Sequence, residues 1–277
     1  MELGIFAKTF PGSEPGLVLA AARAAGYRTV QYNMACSGLD SMPAAIPDAM
    51  ADAVRAAATE QGIDIAAVSA TYNMIHPDPA VRQRGRDSLA VIAAAADPMG
   101  TRLLTLCTGT RDPEDQWRAH PANHTPEAWR DLTASLEAAI AIAETYDVYL
   151  GIEPELANVI DSAIKARMIL DEMASSRLKI VLDPANLFEM ANLPEQRRIV
   201  AEGIDLLADR IIMAHAKDRD PKGGFATAGK GVIDFDHYLA CLARAGFDGP
   251  LVTHGLSASE AAGVAVFLGR KLAELRP

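Results

Sequence analysis

Residues 211–218 read IIMAHAKD, and they show the pattern that decides the fold: a short apolar run that ends in polar residues. An apolar run without alternation is typical of a strand that is buried on both faces, as in a parallel sheet. Similar runs recur along the chain. They predict eight strands, at Glu2–Phe6, Thr29–Tyr32, Asp64–Ser69, Leu103–Cys107, Val148–Glu153, Lys179–Leu182, Arg210–Ala214 and Leu251–His254.

Alanine- and leucine-rich segments between these runs predict helices. Asp78-Pro79 and Thr125-Pro126 each place a capping side chain before a proline that suits the first helical turn. Repeated βα units imply a parallel sheet, and eight of them favour closure into a barrel. An open doubly wound sheet would carry a glycine-rich loop after its first strand, but residues 6–10 read FAKTF. The sequence therefore predicts an α/β fold, a single-domain (β/α)₈ TIM barrel over residues 1–277.

The composition excludes several classes of protein. A chain of 277 residues suits one such barrel, which has about 250. The net charge of −10 leaves no basic footprint for nucleic acid, and no apolar stretch approaches the ~20 residues of a membrane helix. The three cysteines lack metal or disulfide spacing, and the N-terminus lacks the features of a signal peptide. We expect a cytoplasmic protein that binds neither membranes nor nucleic acid.

Four consecutive predicted strands, the fifth to the eighth, end in an acid or an imidazole: Glu153, Asp183, His215 and His254. Active sites of such barrels lie where the strands end, so we expect these side chains to converge. Taken singly, an aspartate before proline is typical of a turn, and a histidine after a strand is typical of a structural hydrogen bond. Together the four favour a divalent metal site for Mn²⁺, Fe²⁺, Co²⁺ or Zn²⁺, and the carboxylates also suit Mg²⁺.

Residues next to these strand ends are candidates for binding a substrate. Glu155 follows Glu153 by two and can face the same side of an extended backbone, although it could equally be an exposed loop acid. Lys217 can point inward to a substrate oxygen. Asp218 could pair with Lys217, and the alternative is a surface ion pair of little energetic value. Asn33 follows the second strand and could line the pocket or form a turn.

Rim loops supply further candidates. His76 and Arg111 follow the third and fourth strands and could contact a substrate or only water. Trp117 lies in the long segment 108–123, whose length is typical of a lid, and could cover a sugar face or pack the loop against the barrel. A cluster of glycines around Lys230 allows a weak phosphate cradle, but a flexible loop before a helix cap explains it better.

The motifs IEPE (152–155), LDPAN (182–186), HAKD (215–218) and GKGVID (229–234) resemble those of the sugar phosphate isomerase/epimerase family. These are xylose-isomerase-like barrels, and they include ketose 3-epimerases, hydroxypyruvate isomerase, inosose dehydratase and, more remotely, apurinic endonucleases. The ketose epimerases hold a divalent metal with a Glu, an Asp, a His and a second Glu. The resemblance implies a metal site at Glu153, Asp183 and His215, and we expect Mn²⁺ first.

Two positions depart from the family pattern. Asn186 stands where the family often has a histidine, and His254 stands where the epimerases have their second glutamate. In those enzymes both glutamates also move protons. We therefore expect Glu153 to act as ligand and base, His254 as fourth ligand or partner acid/base, and Asn186 as a substrate contact.

The resemblance implies an isomerase or epimerase that removes a proton next to a carbonyl of a small carbohydrate or keto-polyol. A dehydratase or lyase acting on a keto-sugar, keto-inositol or keto-glycoside shares that first step. A non-catalytic sugar-binding barrel stays open because of the two departures. Hydrolysis of abasic DNA is disfavoured by the charge of −10 and the presence of only six histidines. A homo-oligomer is left open by analogy with other barrels.

Overall fold

A computed structural model describes residues 1–275 and shows a closed eight-stranded parallel barrel. The strands follow one another around the barrel in chain order, and the last strand pairs with the first. Residues 276 and 277 of the predicted domain lie outside the described range. The barrel strands are Glu2–Phe6 (β1), Thr29–Tyr32 (β2), Asp64–Ser69 (β3), Leu103–Cys107 (β4), Tyr149–Glu153 (β5), Leu178–Leu182 (β6), Ile211–Ala216 (β7) and Pro250–Thr253 (β10).

Helices connect successive strands and surround the barrel. The predicted caps form, because Asp78 accepts a hydrogen bond from the Ala80 amide (2.8 Å) and Thr125 accepts one from the Ala128 amide (3.2 Å). None of the helices within residues 1–275 has both the length and the apolar character needed to cross a membrane. The helices are Pro15–Ala24 (α1), Asp48–Gln61 (α2), Pro79–Met99 (α3), Pro126–Thr145 (α4), Ala163–Met173 (α5), Leu193–Leu207 (α6), Phe235–Arg244 (α7) and Ala261–Glu274 (α8).

The predicted barrel is confirmed, with small differences at the later strands. β7 extends two residues beyond its predicted end because His215 and Ala216 pair in register with β10. A short antiparallel hairpin of Asp218–Arg219 (β8) and Phe225–Ala226 (β9), which the sequence pattern did not predict, follows β7. This hairpin stands over the same end of the barrel as the polar strand ends.

Apolar side chains fill the interior of the barrel below those strand ends. They lie on the same inward face of the strands as the polar residues above them, so that Met213 lies two residues before His215 and Val181 two before Asp183. The cavity described below lies on the side of this layer where the strands end. The layer consists of Ala67, Leu103, Val181, Met213 and Val252.

Candidate functional site

The four side chains expected to converge do meet at one point. Glu153 ends β5, Asp183 follows β6, His215 lies in β7 and His254 follows β10. Each can offer one ligand atom such that all four atoms lie within 4.8 Å of one another. Parallel strands in register bring residues at equivalent positions to one level, which is why residues so distant in sequence become neighbours.

The four side chains contact one another through two pairs. His215 Nδ1 lies 3.1 Å from Glu153 Oε1, and His254 Nε2 lies 3.0 Å from Asp183 Oδ2. Asn186 Nδ2 donates to Glu153 Oε1 over 2.9 Å. Glu153 Oε2 accepts no hydrogen bond from residues 1–275. The side chain of His254 is 19% exposed, whereas that of Asp183 is fully buried, so the imidazole reaches the cavity.

A glutamine on the opposite side of the barrel sets the tautomer of His215. Gln31 Nε2 donates to Thr105 Oγ1 (2.9 Å), so its Oε1 is turned to His215 Nε2, 2.9 Å away. An amide oxygen only accepts, and Nε2 must therefore carry a proton. Neutral His215 then presents the lone pair of Nδ1 to the carboxylate of Glu153. Two acceptors this close require a cation between them or a second proton on the ring, so the donor set fits a divalent metal.

The charges of the cluster shift the pKa of each member. Burial would raise the pKa of Asp183, but the hydrogen bond from His254 and the charge of Lys217 hold it at about 2. Burial opposes ionisation of Glu153 as well, yet His215 keeps its pKa below the ordinary value. Burial lowers the pKa of His215, while Glu153 outweighs this and raises it. Burial and the neighbouring His215 lower the pKa of His254.

A second group of potential ligands lies beside the first. Cys107, Glu153 and Glu155 also offer atoms within 4.8 Å of one another. Burial raises the pKa of the Cys107 thiol well above its usual range, and burial followed by the charge of Glu153 raises the pKa of Glu155 to about 8. Both groups are thus protonated at neutral pH. A metal ion binds more strongly to the two ionised carboxylates of the first cluster.

Glu153, His215 and His254 of the cluster line a cavity of about 730 Å³, whereas the buried Asp183 does not. This volume falls in the range of about 300–1,000 Å³ that is usual for small-molecule sites. Neutral polar residues from β2, β3 and β4 line one side of the cavity. The candidates that reach it are Glu153, Glu155, Asn186, His215, Lys217, His254 and Trp117, and Asn33 lines it too.

Lys217 is buried and points into this cavity. Its Nζ lies 3.9 Å from Asp183 Oδ2 and 3.5 Å from the centre of the Phe225 ring. Arg219 lies under the same ring, 4.4 Å from its centre, and its Nε donates to the Ala185 carbonyl. The β8–β9 hairpin therefore places an aromatic side chain over two cations, where the face of the ring attracts them.

Asp218 does not pair with Lys217, and it is not a surface residue. Its carboxylate is buried and accepts four backbone hydrogen bonds, from the amides of Arg219, Gly229, Gly231 and Ile233 at 2.8–3.0 Å. A Cβ on Gly231 would lie 2.1 Å from the Arg219 carbonyl oxygen, so only glycine fits there. Three amides of this glycine-rich loop are directed at Asp218, and those of Lys230 and Val232 donate to backbone carbonyls, so residues 229–233 form no phosphate cradle.

The structure places two predicted substrate contacts away from this cavity. His76 Nδ1 accepts from the Asp78 amide, and its Nε2 faces the Pro113 carbonyl at 3.1 Å, so both ring nitrogens are engaged. Arg111 pairs with Asp131 (2.6 Å) and donates to the Ile75 carbonyl. The rim loops turn outward here, and both side chains join loops to helix α3 or α4 instead.

The long segment 108–123 is held by its own hydrogen bonds. Thr110 Oγ1 donates to the Arg118 carbonyl, and Asn123 Oδ1 accepts from the Arg111 amide over 2.7 Å. Arg118 pairs with Asp112. Trp117 projects from this segment into the mouth of the cavity and is 52% exposed. Trp117 therefore covers the cavity mouth and does not pack the loop against the barrel.

Sequence reasoning overlooked Gln31 and Arg219. Gln31 is a polar residue in a four-residue strand that is buried throughout, and such a residue needs a specific partner. Arg219 follows Lys217 by two and continues the inward-facing series that begins with His215. Both signals were present in the sequence, but His215 lies 184 residues from Gln31, and Ala185 lies 34 residues from Arg219.

Comparisons with known proteins agree with this geometry. No curated protein sequence matches the chain. Among solved structures, 3-keto-D-glucoside 4-epimerase from E. coli superposes with a TM-score of 0.78 at 15% identity, covering 98% of this chain and 99% of that one. L-ribulose 3-epimerase gives a TM-score of 0.78 at 19% identity, over 99% and 95%. The IolI protein with a bound zinc atom gives 0.72 at 16%, over 99% and 97%.

At these identities the superpositions establish a shared fold. A match to a family model carries the assignment further, since it spans residues 19–265 and so includes seven of the eight barrel strands and all four clustered side chains. The chain belongs to the xylose isomerase-like TIM barrel family.

Proposed function

We propose that this protein is a metal-dependent isomerase or epimerase that removes a proton next to the carbonyl of a small carbohydrate or keto-polyol. The observation that carries the proposal is the meeting of Glu153, Asp183, His215 and His254 at one point, from which all but the buried Asp183 line one cavity. The superposed keto-glucoside and ribulose epimerases, and the zinc atom in the IolI protein, support it. Mn²⁺ as the ion and a cytoplasmic location stay predictions from the sequence.

Glu153, Asp183 and His215 would hold the ion, with His254 as the partner acid/base or as a fourth ligand. A divalent ion held there would act as a Lewis acid on the negative charge that develops when the substrate loses its proton. His215 is prepared for this role, because Gln31 fixes its Nε2 proton and directs Nδ1 to the carboxylates. Outer hydrogen bonds of this kind orient ligands in many metal sites.

Two atoms of the cluster are free to carry the substrate proton. Glu153 Oε1 is engaged by Asn186 and His215, which leaves Oε2 to accept a proton from carbon. His254 donates its Nε2 proton to ionised Asp183, which leaves Nδ1 as an acceptor at the exposed side of the ring. We infer that one of these atoms removes the proton and that the other returns it, on the second face or at the neighbouring carbon.

Other cavity residues would orient the substrate. Glu155 is protonated at neutral pH and can donate to a hydroxyl oxygen. Lys217 supplies a buried ammonium next to Asp183, which suits a carbonyl or hydroxyl oxygen that gains charge during proton removal. Trp117 offers an exposed aromatic face at the cavity mouth, and sugars often bind such faces through their C–H bonds.

The test is proton exchange with solvent. Purified protein, loaded with Mn²⁺, Co²⁺ or Zn²⁺ in turn, is incubated in D₂O with ketoses, keto-inositols and keto-glucosides, and NMR follows deuterium uptake. Deuterium next to the carbonyl supports the proposal, and its incorporation with loss of water identifies a lyase instead.

The matched variants are Asp183→Asn, which removes a clustered carboxylate, and Asp171→Asn, which makes the same change on the exposed face of α5. Only the first should lose metal and exchange. Wild-type protein that retains no metal and exchanges no substrate proton contradicts the proposal and leaves a sugar-binding barrel.

A further inference from the structure

A second cavity, of about 800 Å³, opens beside the first at the same end of the barrel. We call it the side cavity, and the first one the main cavity. Three residues line both: Ser41, Thr71 and Gln116. Because the two cavities share three lining residues from three separate loops, they adjoin there. We call the two adjoining cavities together the groove, and residues of α3 line its outer part.

The size of this groove exceeds the needs of a free monosaccharide. The main cavity of about 730 Å³ alone falls in the range that accommodates drug-sized ligands, which are larger than one hexose. A substrate of one sugar unit would leave the side cavity filled with water. A substrate with two units would use both parts of the groove.

The walls of the side cavity suit a neutral, polyhydroxylated ring. Met42, Tyr72, Val81 and Val91 contribute apolar surface. The Tyr72 ring packs directly against Gly85, where a Cβ would come within 2.1 Å of it, so a larger side chain does not fit there. Apolar surface next to hydrogen-bonding groups matches the two kinds of surface on a sugar ring.

Charged groups at the edge of the side cavity decide against an anionic ligand. Five acids line it, and among residues 1–275 only two of them pair with a nearby arginine, Arg118. Arg84 also lines it, and its guanidinium makes no hydrogen bond or ion pair with the described residues, so its donors are available. The five acids are Asp40, Asp87, Asp112, Glu114 and Asp115.

Gln116 lines both cavities, and its neighbour Trp117 lines the main one. Both lie on the segment that the Asp112–Arg118 pair and the Thr110 and Asn123 hydrogen bonds hold in place. An amide beside an exposed indole can bind the hydroxyls and cover the ring of a glycosidically linked pair of sugars.

We propose that the substrate is a neutral glycoside of at least two sugar-sized units, with the reacting keto unit in the main cavity and the second unit in the side cavity. This inference rests on the proposed function for the identity of the reacting unit. The second unit is recognised by the side cavity alone, and its binding can be measured without turnover.

The experiment compares the affinities of methyl glucoside, maltose and cellobiose for the Mn²⁺-loaded protein, measured by saturation-transfer NMR titration. We expect at least one disaccharide to bind about tenfold tighter than methyl glucoside, which corresponds to about 1.4 kcal/mol. Ala44→Trp places an indole in the side cavity and should abolish this advantage. Its control is Ala45→Trp, since Ala45 is an exposed neighbour that lines neither cavity.

Arg84→Ala provides a second, milder variant and should weaken disaccharide binding about tenfold through the lost charged hydrogen bonds. Arg28→Ala is its control, because Arg28 is exposed and precedes β2 at the other end of the barrel. Equal affinities for one and two sugar units, no saturable disaccharide binding, or equal losses in variants and controls would each overturn the inference.

Proton exchange distinguishes this failure from failure of the proposed function. The keto derivatives of the same three sugars are incubated in D₂O, and deuterium uptake is measured. If the methyl keto-glucoside exchanges its proton and all three sugars bind equally, the proposed function holds and the two-unit substrate is contradicted. If a disaccharide binds tightly but no proton exchanges, the proposed function is contradicted and the second binding unit is supported.

Discussion

The two halves of the barrel contribute different chemistry to the same cavity. The ends of β5, β6, β7 and β10 supply the ionisable cluster of Glu153, Asp183, His215 and His254. The ends of β2, β3 and β4 supply neutral hydrogen-bonding groups, among them Gln31, Ser69 and Thr105. The contact from Gln31 to His215 spans the barrel and joins the two halves.

This difference teaches that the second half carries the reactive charges and that the first half holds them in orientation. A buried carboxylate or imidazole changes its protonation with each neighbour, so its position alone does not define what it does. Neutral amides and hydroxyls keep their donors and acceptors at all ordinary pH values. They are therefore suited to fixing a tautomer on the opposite strand.

The strongest test of this division is Glu153→Gln in the second half. We expect the rate of proton exchange to fall by about 10²–10⁴, the usual contribution of a positioned acid or base. Circular dichroism should show an unchanged fold, because the amide is nearly the same size. The measurement is deuterium uptake by NMR at saturating Mn²⁺ and substrate. Glu137→Gln on exposed α4 is the control, and a loss of less than tenfold in Glu153→Gln would contradict the assignment.

A smaller effect is expected for Gln31→Leu in the first half. Without the Oε1 acceptor the His215 ring can adopt the other tautomer, and metal affinity should fall by about 10–100-fold, as for other outer hydrogen bonds. Equilibrium dialysis with Mn²⁺ and Zn²⁺ measures it. Gln31→Glu keeps an acceptor and should retain most of the affinity. If both variants weaken binding equally, Gln31 fills space without orienting His215.

The smallest effect is expected one step further from the cluster, at Thr105→Val. This change removes the hydroxyl that accepts from Gln31 Nε2 and should cost about 1 kcal/mol of unfolding free energy, the net value of a hydrogen bond. Urea denaturation gives the stability, and dialysis should show a loss of metal affinity smaller than that in Gln31→Leu. Thr133→Val on α4 is the control. A larger loss of metal affinity than in Gln31→Leu would reverse the proposed order of action.

The sequence allowed the barrel and the charged cluster to be predicted for one reason. Unbroken apolar runs mark strands buried on both faces, and the polar residue that ends each run must then lie at the common rim. Asp183 and His215 were found this way without any knowledge of their partners. Their convergence needs only the parallel register.

The remaining contacts depend on how loops fold back, and periodicity carries no information about that. Asp218 looked like a surface acid because three of its four partners come from a loop that begins several residues later. Local turns set the direction of loop side chains, so Arg111 lies away from both cavities and His76 lines the side cavity instead of the main one. Gln31 was overlooked because its partner lies 184 residues away.

The carboxylate of Asp218 has a consequence for how the protein can diversify. Four amides converge on it, and Gly231 leaves no space for a side chain, so this wall of the groove tolerates few replacements and little movement. The segment around Gln116 and Trp117 is also fixed, but by side chains that others of similar shape can replace. New substrate preferences are therefore expected to arise by substitution around residues 112–118, while the 218–233 wall is inherited nearly unchanged.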